Sequence, residues 1–258
     1  MAQSSPREVP SNSLERGLRI LEMIGQRRNG LSNKEVSDEL GLATSSCSYV
    51  LGRLEREGFL VRDPATGRYE IGLKVLAISR AALRRFDFRR VAEPVLVALR
   101  DNTGLDAVVG VLDKNRVMVI NRISGGEFPD ADVDTGTEYL AYATAIGKLL
   151  LAHLPQEHVR ELFGESGLPA ITPKTITSMA ALLKELELIR KRGYSLSFDE
   201  QILGLSAIAL PITDAQGIVR AGVAAIGNTG QSVWKDMGGL AQQVKLAARE
   251  ISQQVRFY

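Results

Sequence analysis

The sequence predicts an α+β protein in two parts, a small helical module with a β-ribbon followed by an antiparallel sheet flanked by helices. Three observations predict it. Residues 32–71 hold two short helical patterns, a three-residue turn between them, and two β-rich runs about a tight turn. Beyond Arg89 the pattern changes to pairs of β-rich runs separated by helical ones, the order expected of helices packed on an antiparallel sheet. Finally, 258 residues with a hydrophobic fraction of 45% leave room for two cores.

In the first part, Asn12 or Ser13 can cap a helix whose buried face is expected to be Leu14, Leu18, Leu21 and Ile24. Ser32 and Glu35 form a capping box, Val36 and Leu40 share one helical face, and Gly41 supplies a left-handed stop. Thr44 is expected to cap the next helix, which buries Cys47, Val50, Leu51 and Leu54 and ends at Gly58. The connection at 41–43 is what a helix-turn-helix needs to cross two short helices steeply. Residues 59–62 and 68–71 flank the turn at 63–67 as a wing, with Arg62 and Arg68 beside its tip. Leu73, Leu76, Ala77 and Leu83 then mark a stiff helical linker carrying Arg80, Arg84 and Arg85.

The second part opens with a helix to Asn102 and β-rich runs at 106–112 and 116–124. A looser segment at 125–142 precedes a helix at 144–154, and another helix at 182–192 stops at Gly193. Runs at 207–213 and 218–226 make a hairpin about 214–217. The closing helix buries Leu240, Val244, Ala248, Ile251 and Val255. The expected division is a disordered polar tail at 1–12, a winged helix-turn-helix at 13–71, a linker at 72–88 and an antiparallel-sheet domain at 89–258.

The outer side of the second helix of the pair points to double-stranded DNA. Ser45, Ser46, Ser48, Tyr49 and Arg53 are short or hydrogen-bonding side chains, suited to base edges in the major groove. Thr44, Arg16, Ser32, Lys34, Arg62 and Arg68 complete the candidate contacts, with the two wing arginines placed to grip backbone. Through Arg90 there are sixteen Lys and Arg against eleven Asp and Glu, and beyond it sixteen against nineteen. A basic module joined to a slightly acidic one fits one part that meets nucleic acid and one that avoids it.

Other classes find little support. The single Cys47 excludes an internal disulfide and fits a reducing cytosol, and its inward position reads as packing rather than reactivity. The start lacks an apolar signal core, and no apolar run is long enough to cross a membrane, so a cytoplasmic, nucleoid-associated protein is expected. His153 and His158, five apart, do not share a helix face for a metal. Residues 145–148 hint at a phosphate loop but lack its first Gly and its final Ser or Thr. No base stands near Ser197 or Ser206, so no catalysis and no cofactor are expected.

Taken in order, Leu14-Glu15-Arg16-Gly17-Leu18, residues 42–54, Glu57-Gly58-Phe59-Leu60, Gly136 with Ala143-Thr144-Ala145-Ile146-Gly147-Lys148, and Gly193-Tyr194-Ser195 through Asp199-Glu200 to Gly204-Leu205-Ser206-Ala207 form a series. With Asp214 and Gly217 they resemble the IclR family of bacterial transcriptional regulators over nearly the whole chain. That resemblance implies a GAF-like effector domain behind the winged helix, a homodimer or homotetramer, and a palindromic operator. Family ligand positions fall on Ala145, Ile146, Ser197, Ala207, Ala224 and Ile226, with Tyr142, Thr144 and the loop residue Phe128 beside them. Relatives that take small oxoacids have Asp, Cys and two Ser where this chain has Ser197, Ala207, Ala224 and Ile226, and Leu140-Ala141-Tyr142 replaces the common Pro-Leu-His. Fewer polar groups suit an organic acid with a ring or other apolar bulk. A filled core fits the same residues equally well. The expected function is therefore effector-responsive DNA binding. A DNA-binding regulator with no effector, its second domain serving only oligomerisation, and an enzyme fused to a DNA-binding module are the alternatives.

Overall fold

The computed structural model describes residues 12–83, 88–126, 135–164 and 168–255. Most of the expected tail, linker residues Arg84 and Arg85, and Phe128 lie outside the described residues. The chain divides into two compact units, Met1–Arg84 and Arg85–Tyr258.

In the first unit, α1 (Ser13–Gly25) is capped by Asn12, whose side chain accepts the Glu15 N–H. Its buried face is Gly17, Ile20, Met23 and Ile24. Leu14 and Leu18 of the expected stripe are therefore corrections, at 74% and 54% exposed, whereas Leu21 is half-buried against the core. Both stripes recur at helical spacing, and the one containing Gly17 lets α1 approach Val50 and Leu54 closely.

The capping box at Ser32 opens α2 (Asn33–Leu40), and Gly41, at φ 64°, ends it in the left-handed region where glycine carries no Cβ penalty. Helix α3 (Thr44–Arg56) follows. Thr44 does not cap it; Ala43 holds that position with no side-chain bond. Ser37 instead ties the turn, its hydroxyl donating to Leu42 O at 2.6 Å and lying 3.2 Å from Thr44 Oγ1. Strands β1 (Leu60–Arg62) and β2 (Tyr69–Ile71) pair antiparallel as the wing, and Tyr69 also bridges Leu31. Ile20, Ile24, Val36, Leu51 and Leu60 close the core, and α4 (Leu73–Leu83) ends the unit.

The second unit is one six-stranded antiparallel sheet. After α5 (Phe88–Thr103) come β3 (Asp106–Asp113), β4 (Arg116–Ile123) and β5 (Glu138–Leu140). Helices α6 (Ala145–Leu151), α7 (Gln156–Phe163) and α8 (Met179–Arg192) lead to β6 (Ser195–Phe198), β7 (Leu205–Thr213), β8 (Val219–Asn228) and α9 (Met237–Gln254). The strand order is β5-β4-β3-β8-β7-β6. The short edge strands and α7 are elements the sequence pattern did not mark.

Alternation along the strands serves two separate cores. Val109, Ile208, Leu210, Ile212 and Val223 pack with α5 and α9. Val108, Ala209 and Ala224 pack on the opposite face with α6 and α8. The second face is built of smaller residues, and α6 comes close to it: a Cβ at Gly222 would meet Ile146 Cγ2 at 3.0 Å.

Gly147 is required by proximity. A Cβ there would lie 2.1 Å from Ala141 O, a backbone atom that no rotamer change can move. Gly147→Ala is expected to cost about 1–3 kcal/mol by overpacking. Thermal unfolding followed on buried Trp234, the single tryptophan, should show a lowered midpoint; an unchanged midpoint would mean α6 can slide outward.

Candidate DNA-reading face and effector cavity

On the first unit, Ser45, Ser48, Tyr49 and Arg53 are exposed along α3, Ser46 is half-buried, and Thr44 and Lys34 stand exposed nearby. Tyr49 and Arg53 act as a pair: Arg53 donates to Tyr49 Oη at 3.2 Å and its guanidinium lies 5.5 Å from the ring centre. Ser32 is occupied, its N–H and hydroxyl both donating to Glu35 at 2.7 Å. Arg16 is half-buried on α1, and its charge acts on the Cys47 thiol, although burial is the larger effect and pushes that thiol up.

The wing arginines differ. Arg62 is exposed, lies over the Tyr69 ring at 5.6 Å and donates to Gly67 O at 3.3 Å. Arg68 turns inward, contrary to its expected place at the tip. It donates to Asn29 O at 2.9 Å, Gly30 O at 3.2 Å and the Glu35 carboxylate at 2.9 Å. The Leu31–Tyr69 bridge brings the wing beside these carbonyls, and a guanidinium has enough donors to bind all three acceptors.

In the second unit a cavity opens on the small-residue face of the sheet, with about 610 Å³ of empty space including its mouth. Ser197 pairs with Ala207, Ala207 with Ile226, Ala209 with Ala224 and Ala224 with Val108. This register brings Ser197, Ala207, Ala224 and Ile226 to one wall, and Thr144, Ala145 and Ile146 line it from the start of α6. Tyr142 is a correction. It is buried away from the cavity, donating to Pro169 O at 2.6 Å with its ring edge-on to Phe163. The 3-10 turn at Ala141–Ala143 sends it the other way, and burial pushes its hydroxyl pKa up.

Sequence reasoning missed Val108, Val117, Val119, Tyr139, Gln201, Ile202, Leu205 and Ser206. Strand register would have found Val108 through Ala224, but Gln201 and Ile202 lie on a loop with no period to read.

None of the lining side chains is charged. Thr144 Oγ1 accepts the Gly147 N–H at 3.0 Å, Ser197 Oγ donates to Ala143 O at 3.2 Å, and Ser206 Oγ lies 2.8 Å from Thr229 Oγ1. Beside the cavity, Lys148 of α6 meets Glu200 at 2.5 Å, both side chains almost wholly shielded from water. Burial pushes the Glu200 carboxyl up, against the pull of Lys148. Thr172 donates to Asp199 O at 2.6 Å and Thr175 to Glu200 O at 2.7 Å. Asp199, at φ 59°, accepts from Gly204 N at 2.7 Å and Thr229 at 2.9 Å, closing the loop. Among the described residues no group of three His, Cys, Asp or Glu could hold a metal ion, and no helix is long and apolar enough to cross a membrane.

Residues 80–253 match the family described as "Bacterial transcriptional regulator IclR C-terminal", and residues 13–64 match "IclR helix-turn-helix domain". The chain belongs to the IclR family. Its similarity to the HTH-type transcriptional regulator BhcR of Paracoccus denitrificans is 32% identity over 240 residues, 93% of this chain and 86% of that protein. The Thermotoga maritima IclR structure is 29% identical with a TM-score of 0.74, covering 94% of this chain and 98% of that one. An IclR homolog from Microbacterium hydrocarbonoxydans, complexed with 4-hydroxybenzoate, has a TM-score of 0.80 at 24% identity over 94% of this chain and 98% of that one, a likeness of fold. This IclR member is thus a transcriptional regulator with a helix-turn-helix domain and a C-terminal ligand-binding domain, a non-enzymatic role.

The wing clamp of this regulator should show in acid. The Ser32 N–H, then its hydroxyl, then Arg68 hold the Glu35 carboxyl at about 2, below the ordinary 4.5. A depressed carboxyl stabilises the fold fully above about pH 4.5 and loses that contribution as pH falls towards 2. Glu35→Gln should flatten the acid dependence in that window and weaken the unit at neutral pH. Hydrogen exchange at residues 12–83 of the full chain measures it; an unchanged acid slope would count against the clamp.

Proposed function

We propose that this regulator binds a palindromic operator as a homodimer or a dimer of dimers, and that its cavity takes a small organic acid with a ring or comparable apolar bulk. The observation that carries the effector reading is the cavity itself: apolar walls with no charged side chain and a few polar groups, the make-up of a small-ligand pocket. The first-turn N–H groups of Ala145 and Ile146 have no intrahelical acceptor, so they and the Thr144 hydroxyl are the groups to meet the acid oxygens. The open cavity disfavours a domain used only for oligomerisation. Twofold assembly is proposed because one recognition helix reads too few bases for genomic specificity. The effector shifts DNA affinity only through unequal binding to two arrangements, a coupling typically of about 1–3 kcal/mol.

On α3, Tyr49 and Arg53 are the proposed base readers. Tyr49→Ala or Arg53→Ala should each cost about 1–3 kcal/mol on a duplex selected for tight binding and much less on random DNA. Because the two side chains bond each other, the double variant should lose less than the two losses added together. Binding titrations on both duplexes decide it, and equal losses on the two would remove these residues from sequence readout.

Calorimetry with aromatic acids and short oxoacids tests the cavity. Aromatic acids should bind more tightly, and Ile226→Ser should weaken them while leaving DNA binding without effector nearly unchanged. Tight binding of glyoxylate or pyruvate with no heat from any aromatic acid would overturn the effector class.

A further inference from the structure

The cavity wall holds a polar group that the fold does not use. Gln201 lines the cavity from the 199–204 loop, and its Oε1 is buried without a hydrogen-bond partner. The hydroxyls of Ser197 and Ser206 in the same wall are bonded within the protein, and Thr144 Oγ1 accepts the Gly147 N–H while its own proton is left for the acid end of the ligand. A buried acceptor left unpaired costs about 1–3 kcal/mol, and a Leu or Met at this position would avoid that cost among such apolar neighbours. Packing therefore gives no reason for an amide here.

Its backbone is also fixed in advance. Glu200, the preceding residue, is tied through its carboxylate to Lys148 and through its carbonyl to Thr175, while Asp199 closes the loop onto Gly204. A polar group on a pre-set backbone can reward a matching ligand without a large ordering cost. An amide presents an acceptor and donors at one point, and a hydroxyl complements either.

We infer that Gln201 sets effector specificity by hydrogen-bonding a hydroxyl of the ligand, so that this regulator selects hydroxylated members among apolar acids. This rests on the effector reading above. A wall that bonds a hydroxyl discriminates strongly against an analogue lacking it, whereas an apolar wall discriminates weakly.

The test uses matched pairs that exchange hydroxyl for methyl: 4-hydroxybenzoate with 4-methylbenzoate, 3-hydroxybenzoate with 3-methylbenzoate, and 4-hydroxyphenylacetate with 4-methylphenylacetate. Calorimetry on the full chain should show at least one hydroxyl compound binding tenfold or more tightly than its methyl partner. In Gln201→Leu and Gln201→Met that preference should fall to about one or invert, with unchanged thermal unfolding and the methyl compound still bound. A preference kept in both variants, or absent from the unmodified chain while the methyl compounds bind, overturns the role of Gln201 and leaves the effector reading standing. Failure of all six compounds to bind the unmodified chain overturns both.

Discussion

Lys148 and Glu200 come from parts of the chain fifty-two residues apart and meet with scarcely any contact with water. Each charge was costly to bury, and removing one partner would strand the other at a penalty of about 3–5 kcal/mol. Helix α6 and the 199–204 loop are therefore committed to one mutual placement, because a shift of either would leave a buried charge without its partner. The consequence is geometric. Thr144, Ala145 and Ile146 sit on one member of the pair's frame, Gln201 and Ile202 on the other, and the cavity lies between. Hydroxyls from Thr172 and Thr175 bind the loop carbonyls and complete the frame.

Within that frame, side-chain size decides which face of the sheet is filled. Ile208, Leu210, Ile212 and Val223 fill the space beneath α5 and α9. Their neighbours one residue along, Ala209 and Ala224, are too small to do the same beneath α6. Helix α6 runs for only seven residues and packs on the sheet at Gly222, and the open space lies beside its first turn at Thr144, Ala145 and Ile146. A strand pattern of large and small residues thus produces one solid core and one hollow one from the same alternation.

Much of this was legible in the sequence because the signals were local. The Ser32–Glu35 box, the Gly41 and Gly193 stops and the long hairpin of β7 and β8 each depend on residues a few positions apart. What failed depended on distant partners. Two apolar stripes on α1 look alike until α3 chooses the one with Gly17. Arg68 finds its acceptors 33 to 39 residues away, where no local rule reaches. Tyr142, placed beside the cavity by the family resemblance, is carried to the other side by the 3-10 turn before α6, where it bonds Pro169 O. At the cavity, the family resemblance supplied the strand and helix positions, while Gln201 lay on a loop with no repeating pattern to expose it.

The inward turn of Arg68 changes how the wing counts in binding. Each phosphate neutralised by a cation releases condensed counterions, about 0.9 on B-DNA, and this number is what the salt dependence of affinity measures. A wing with two arginines looks, from sequence, like two such contacts. With Arg68 bound to Asn29, Gly30 and Glu35, only Arg62 of that pair stands exposed towards solvent. On the reading that the wing grips phosphate, it offers one counterion-releasing cation instead of two, and the slope of affinity against salt expected of it is shallower by about 0.9.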